Sequence, residues 1–310
     1  MAFESVATLL GIGLLGYWII RRRIIPENIL GFLSPLALDI ALPSLVFFSI
    51  VTGFTPAAFP DWWQLPLWWI LFTVTLLALT MAARFLSKKD TRGEFSMGLF
   101  FQNGLFFPIF VIVGLFGKDT PYLVNLFVFM IFQPPVVFST YYLFFGRSKG
   151  VINWRRILNP ILITTIIAMV ICLAGVKDYV PHFIISIFEM LGSMALPLLM
   201  LILGGNIYRD FRGKGRVYYV EIAKFVFLKN IAYPLVFIGL LYLLKPDFGV
   251  SLIIFLQSAV PPITAVPILT ERAGGDRNIA SQFVLGSFIF SVVTIPAMVY
   301  VFSSLFVFPG

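Results

Sequence analysis

The sequence predicts an all-α polytopic membrane protein with ten transmembrane helices, arranged as a 5+5 inverted repeat in which helices 4 and 9 are broken. Three observations lead to this fold class: apolar runs of bilayer length, basic residues concentrated in alternate loops, and prolines at matching places in the two halves. Only 12% of the 310 residues are charged, whereas a soluble domain averages about 25%. The mean hydropathy is +0.99, and a run of about 20 apolar residues crosses the hydrocarbon core as a helix.

The apolar runs define the predicted spans in order along the chain. Backbone polar groups in hydrocarbon must be satisfied within the segment itself, so each run is predicted as a helix. The loops between the runs are too short to hold a soluble domain, and we therefore expect the function to reside in the membrane. The ten predicted spans cover about residues 4–20, 30–53, 64–86, 94–116, 121–145, 157–175, 181–207, 217–244, 248–271 and 278–305.

The distribution of lysine and arginine predicts the orientation. With the N-terminus outside, the loops that face the cytoplasm carry most of the basic residues, as the positive-inside rule requires. The first run has no basic residue before it and three arginines after it, the reverse of a cleaved signal peptide, so we expect a retained helix. Ten spans then place both termini outside the cytoplasm. The basic residues of the predicted cytoplasmic loops are Arg21, Arg22, Arg23, Arg84, Lys88, Lys89, Arg92, Arg147, Lys149, Arg155, Arg156, Arg209, Arg212, Lys214, Arg216, Arg272 and Arg277.

Other classes of protein are disfavoured by the sequence. The net charge of +8 does not indicate nucleic-acid binding, because the basic residues lie in short loops between apolar runs. One cysteine, Cys172, cannot form an internal disulfide, and one histidine, His182, cannot form a metal cluster. We find no metal-ligand motif, nucleophile–base pair or ATP-binding loop. We therefore expect no enzyme, no primary pump and no metal or other cofactor.

Sequence matches between the halves predict the internal repeat. Ala41-Leu42-Pro43 recurs as Ala195-Leu196-Pro197, and the same offset relates Pro108 to Pro262. Five spans in each half is an odd number, so the second half is expected to be inverted relative to the first. Inverted repeats with broken helices are typical of secondary transporters. We therefore divide the chain into a first five-helix repeat, residues 1–150, and a second, residues 151–310.

Proline and polar residues together predict the binding site. A proline in a span leaves the carbonyl four residues earlier without its usual donor, and in lipid that carbonyl needs another partner. In the fourth and ninth spans polar residues stand beside these carbonyls, and half-helix N-termini would bring partial positive charge to a bound anion. The alternative is that the prolines merely kink the helices. The predicted substrate-binding residues are Gln102, Asn103, Gly104, Gln257, Ser258 and Thr264, and the predicted helix breaks are at Pro43, Pro108, Pro197, Pro261 and Pro262.

Charged residues inside the predicted spans are candidates for ion or proton coupling. A carboxylate at mid-span costs about 2.5–3.5 kcal/mol on insertion scales, so Asp39 is expected to face the protein interior. It lies four residues from both Pro35 and Pro43 and therefore on the same helix face. Its alternative role is that of a structural partner, for example of Lys229. Glu189, nearer the outer end of the seventh span, is the second coupling candidate, and Lys229 either snorkels to the surface or balances a buried carboxylate.

The sequence resembles the auxin efflux carrier family, which includes plant auxin carriers and bacterial organic-acid permeases. Residues 260–276 resemble the double-proline ninth helix of the family, with its acidic-basic pair and glycines. Residues 41–47 resemble the second helix, and residues 196–199 and 203–206 resemble the seventh. The order and spacing of these stretches cover the whole chain.

The resemblance implies an elevator-type secondary transporter of small organic anions in a lipid bilayer, here the bacterial inner (plasma) membrane. It implies a scaffold domain of helices 1, 2, 6 and 7, which forms a homodimer, and a transport domain of helices 3–5 and 8–10. The substrate carboxylate would bind where helices 4 and 9 cross. Two positions depart from the family pattern, since a glycine and an asparagine are replaced by Phe106 and Ala265. Coupling to protons or sodium is left open, as is the alternative of a sodium-coupled bile-acid-type symporter or a cation/proton antiporter of the same general fold.

Overall fold

The computed structural model describes residues 2–146, 159–211 and 217–308, and this part of the chain is helical apart from its connections. Six helices in it are long and apolar enough to cross a membrane, which makes the protein an all-helical polytopic membrane protein. Shorter apolar helices accompany them. The six long segments are Ile29–Gly53, Gln64–Leu86, Pro121–Phe145, His182–Arg209, Tyr219–Leu244 and Arg277–Leu305. The predicted boundary between the two halves, and the basic residues at 147–156 and 212–216, lie outside the described residues.

The α-helices of the described part are numbered here in chain order. Several predicted spans consist of two helices joined by a π-helical or 3-10 turn or by an extended connection. The helices are α1 Ala2–Arg21, α2 Ile29–Pro35, α3 Leu42–Gly53, α4 Gln64–Ala83, α5 Arg92–Phe100, α6 Phe106–Phe116, α7 Pro121–Phe129, α8 Gln133–Thr140, α9 Pro160–Leu173, α10 His182–Ser193, α11 Ala195–Phe211, α12 Tyr219–Phe227, α13 Tyr233–Leu244, α14 Phe248–Ala259, α15 Val266–Arg272 and α16 Arg277–Leu305.

One group of helices is formed by α1–α3 and α9–α11. Helix α3 packs against α9 and α10, and α1 runs along α11. Glycines allow this last pair to approach at backbone distance, because a Cβ atom at Gly16 would overlap the backbone of Leu201, and one at Gly204 would overlap the backbone of Gly13. Small residues at such contacts are typical of helix packing in membranes. Lipid tails are as apolar as the side chains, so helices associate through close packing rather than through the hydrophobic effect.

The second group contains α4–α8 and α12–α16, and aromatic side chains fill much of its core. Phe255 of α14 stacks on Phe302 of α16 with ring centroids 4.5 Å apart. Phe225 of α12 stacks on Phe283 of α16 at 4.8 Å. All four side chains are buried. The core of this group therefore lies around α16, the longest helix, and holds the interrupted helices α5–α6 and α14–α15 in place.

Two π-helical turns precede prolines. Leu36–Ala41 joins α2 to α3 and ends two residues before Pro43, and Leu228–Ala232 joins α12 to α13 and ends two residues before Pro234. A proline has no N–H to donate, and the wider turn accommodates the missing bond without ending the helix. The predicted helix break at Pro43 is therefore not observed, because the second span continues through a π-helical turn. The seventh span is interrupted at Met194, so Pro197 lies in the first turn of α11.

Candidate functional site

Two interrupted helices meet in the structure. Helices α5 and α6 are joined by the extended connection 101–105, and α14 and α15 by the connection 260–265. We call these two connections the crossing. The fourth span breaks before Pro108, which lies in the first turn of α6, where a missing N–H is tolerated. Pro261 and Pro262, in contrast, lie inside the ninth-span break, as predicted.

The two connections run antiparallel and pair through their backbones. The Asn103 N–H donates to the carbonyl oxygen of Pro261 at 2.8 Å, and the Ile263 N–H donates to that of Phe101 at 3.0 Å. Extended backbone in a membrane needs such partners, since unsatisfied polar groups in hydrocarbon cost several kcal/mol. Each broken helix therefore supplies the hydrogen bonds that the other one lacks.

Side-chain amides satisfy the remaining carbonyls of the first connection. Gln257 Nε2 donates to the Gly104 carbonyl oxygen at 2.6 Å, the group that Pro108 leaves without a donor. Gln133 Nε2, from α8, donates to the Gln102 carbonyl oxygen at 2.9 Å. A Cβ atom at position 104 would overlap the Gln257 carboxamide, so any larger residue there would have to displace Gln257. Gln133 was missed by sequence reasoning, although the neighbouring double proline of the fifth span is a signal like the one used for the ninth.

The predicted binding residues divide into two sets by position. Gln257 and Ser258 are fully buried, and both make internal hydrogen bonds, since Ser258 Oγ donates to the Phe255 carbonyl oxygen at 2.6 Å. Asn103 is only 4% exposed, and its side chain makes no hydrogen bond within the described part of the chain. Thr264 is half-buried and lines a cavity. Thr264 thus presents a polar group to the cavity, whereas Asn103 is buried beside it and is not among the residues that line it.

A cavity of about 630 Å³ lies between the two groups of helices and reaches the crossing. Its wall at the crossing includes Phe106, Thr264 and Ala265, two of which are the departures from the family pattern. Helix α11 forms the opposite wall, largely with apolar side chains. Polar side chains line it near the end of α11 and the beginning of α16, including Arg209 and Asn278. The cavity is large enough for a small organic molecule.

Lys229 lies fully buried in the π-helical turn between α12 and α13. Its Nζ donates to the carbonyl oxygen of Leu99, in the last turn of α5, at 3.0 Å. In a continuous helix this carbonyl would accept from Asn103, whose N–H bonds to Pro261 instead. Neither sequence interpretation was right, because the side chain does not snorkel to the surface and no carboxylate of the described residues pairs with it.

The two coupling candidates lie away from the crossing. Asp39 is exposed in the π-helical turn, although Pro43 is buried. The expectation that Asp39 faces the interior was wrong, because the Asp39 side chain is exposed while Pro43, four residues later, is buried. Glu189 is also exposed, and its Oε1 lies 3.7 Å from Lys118 Nζ. Neither carboxylate lines the cavity. Their coupling roles stay predictions.

Broken helices that pair beside a cavity are typical of membrane transporters, which bind substrates at such interruptions. The chain belongs to the membrane transport protein family, whose model matches residues 1–151 and 144–299. This is the family of the auxin efflux carriers, so the resemblance seen in the sequence is confirmed. No match is found among curated proteins.

Proposed function

We propose that the protein is a secondary transporter of small organic anions, mainly carboxylates, which bind at the crossing. The observation that carries this proposal is the backbone pairing of residues 101–105 with residues 260–265 beside the cavity. Helices α6 and α15 both begin at the crossing, so the free backbone N–H groups of two helix N-termini lie there. Backbone N–H groups at helix N-termini are ordinary anion-binding groups. Asn103 and Thr264 supply uncommitted polar side chains.

Transport would proceed by elevator-type alternating access. The cavity separates the α1–α3 and α9–α11 group from the group that holds the crossing, as this mechanism requires. Its polar part lies near Arg209 and Asn278, at the predicted cytoplasmic side, and a substrate released there would leave inward. The scaffold and transport domains, the two repeats at residues 1–150 and 151–310, homodimerisation and the bacterial inner membrane belong to the same proposal.

Cation transport by a symporter or antiporter of the same general fold is the second candidate. The connections of the crossing contain no carboxylate in their sequence, and the Lys229 amine bonds to the Leu99 carbonyl in the last turn of α5, just before the first connection. Cations prefer carboxylate and carbonyl oxygens, so this composition supports anion binding over cation binding. In the proposed anion transporter, sodium or protons serve only as coupling ions. Asp39 and Glu189 are the predicted proton or ion carriers.

A transport assay in proteoliposomes tests the proposal. The purified full chain is reconstituted, and uptake of labelled acetate, benzoate, malonate and succinate is measured with and without imposed proton and sodium gradients. We expect uptake of at least one carboxylate above that of protein-free vesicles, and its loss in Gly104→Val, which displaces Gln257 at the crossing. Gly239→Ala is the matched control, because a Cβ atom at position 239 meets no other atom within 4 Å. Folded protein that transports none of the four carboxylates would overturn the proposal.

A further inference from the structure

Lys229 is a buried lysine whose only hydrogen-bond acceptor among the described residues is a backbone carbonyl. Its side chain is 0% exposed, and its Nζ lies 3.0 Å from the Leu99 carbonyl oxygen. A lone ammonium in an apolar interior is unfavourable unless charge or dipoles compensate it. The carboxyl end of α5 provides such a dipole, which amounts to roughly half a negative charge. The Lys229 side chain therefore interacts with the helix end that leads into the crossing.

The helix ends at the crossing nearly cancel one another. Helices α6 and α15 begin there with partial positive charge, and α5 and α14 end there with partial negative charge of about the same size. At the end of α14 the side-chain donor is the neutral hydroxyl of Ser258, which bonds to the Phe255 carbonyl. At the end of α5 the donor is the Lys229 ammonium. A protonated Lys229 thus leaves the crossing with about one net positive charge.

We propose that Lys229 is protonated in the folded protein and that its charge determines the selectivity of the crossing for anions over neutral molecules of the same shape. It is a positioning residue, since it acts through the carboxyl end of α5 and its donor is already used by Leu99. The inference rests on the proposed function, because it needs a substrate that binds at the crossing. At an effective dielectric constant near 20, a unit charge about 10 Å from a bound anion changes the affinity of the protein for that anion roughly tenfold.

A structural role alone would have a different signature. A residue that merely caps the Leu99 carbonyl would affect the binding of charged and neutral ligands equally. A charge that selects anions would affect the carboxylate and leave its amide unchanged. The ratio of the two affinities therefore separates electrostatic selectivity from simple support of the fold.

Three substitutions make this comparison. Lys229→Gln keeps a hydrogen-bond donor and removes the charge, Lys229→Met removes both, and Lys229→Arg keeps both. The probes are benzoate with benzamide and succinate with succinamide, and each affinity is measured by calorimetry on the purified full chain. Circular dichroism and the melting temperature establish folding for each variant.

We expect the carboxylate-to-amide affinity ratio to fall about tenfold in Lys229→Gln and Lys229→Met and to stay at the wild-type value in Lys229→Arg. A wild-type ratio in either neutral variant would overturn the inference while leaving the proposed function standing. If neither neutral variant folds, Lys229→Arg still tests the inference, because loss of the ratio in that folded variant, which keeps the charge, contradicts a role for charge. Wild-type protein that binds neither carboxylate would overturn both the inference and the proposed function.

Discussion

The side-chain amide of Gln257, at the end of α14, donates to the carbonyl oxygen of Gly104 in the opposite connection at 2.6 Å. Both residues are buried, and the bond compensates a carbonyl that Pro108 leaves without a helical donor. A residue predicted from sequence to bind substrate is thus occupied in holding two broken helices together. This changes what its substitution is expected to do.

Gln257→Leu is expected to destabilise the protein by about 1–3 kcal/mol, because the buried Gly104 carbonyl loses its partner. Carboxylate transport should fall together with the melting temperature measured in detergent. The matched control is Gln64→Leu, which removes an exposed amide bonded to Asp61 and should change stability little. A wild-type melting temperature in Gln257→Leu would contradict the structural role.

Asn103→Ala is expected to leave folding intact and to reduce transport at least tenfold. The backbone N–H of Asn103 still donates to Pro261 in this variant, and the side chain makes no hydrogen bond within the described residues. The melting temperature and the initial rate of carboxylate uptake are the two measurements. Wild-type uptake by the folded variant would remove Asn103 from the binding site.

Cross-linking positions 118 and 189 is expected to stop transport. Lys118, after α6, and Glu189, in α10, belong to the two helix groups that an elevator motion separates, and their charged atoms lie 3.7 Å apart. The double variant Lys118→Cys/Glu189→Cys is treated with a short thiol-specific cross-linker, and the native Cys172 is buried. Uptake should return on cleavage of the linker, and the single variants are the controls. Full activity of the cross-linked protein would contradict relative motion at this point.

Glu189→Gln alone is expected to change stability by less than about 1 kcal/mol, because both partners are well exposed and solvent screens such pairs. The melting temperature is measured at low and at high salt. The values for wild type and variant should converge at high salt, which screens the ion pair. A large loss of stability would show that the pair holds the two helix groups together in the ground state.

Asp39→Asn is expected to make carboxylate uptake independent of an imposed proton gradient, if Asp39 carries the coupling proton. Asp178→Asn, in an exposed connection of the same group of helices, is the matched control and should behave as wild type. Uptake is compared at equal substrate concentration with the outside medium at pH 5.5 and at pH 7.5. An unchanged dependence on the gradient in Asp39→Asn would end its coupling role.

The sequence predicted features that depend on local chemistry. Apolar length located the six long spans, and proline chemistry located the ninth-span break at Pro261 and Pro262. The fourth-span break lies before Pro108 rather than at it, because the backbone pairs with residues far away in the chain. Proline alone carries no information about that partner.

Features that depend on packing escaped prediction. Lys229 donates to the Leu99 carbonyl oxygen of α5. This carbonyl lacks its helical donor only because the Asn103 N–H bonds to Pro261. Gln133 contributes to the crossing from a different span. Asp39 is exposed in a π-helical turn, and neither composition nor period distinguishes such a turn from an α-helix. Each case needs a tertiary contact or a backbone detail that a hydrophobic pattern does not contain.

The π-helical turns Leu36–Ala41 and Leu228–Ala232 also bear on how related chains can differ in length. A π turn holds one residue more than the α-helical turn it replaces. A deletion of one residue there would restore ordinary helix and rotate everything before it by about 100° relative to everything after it. At Leu228–Ala232 such a deletion would turn Lys229 away from Leu99 or α12 away from its neighbours. Single-residue gaps at these two places in an alignment would therefore mark relatives with a differently oriented helix, rather than errors of alignment.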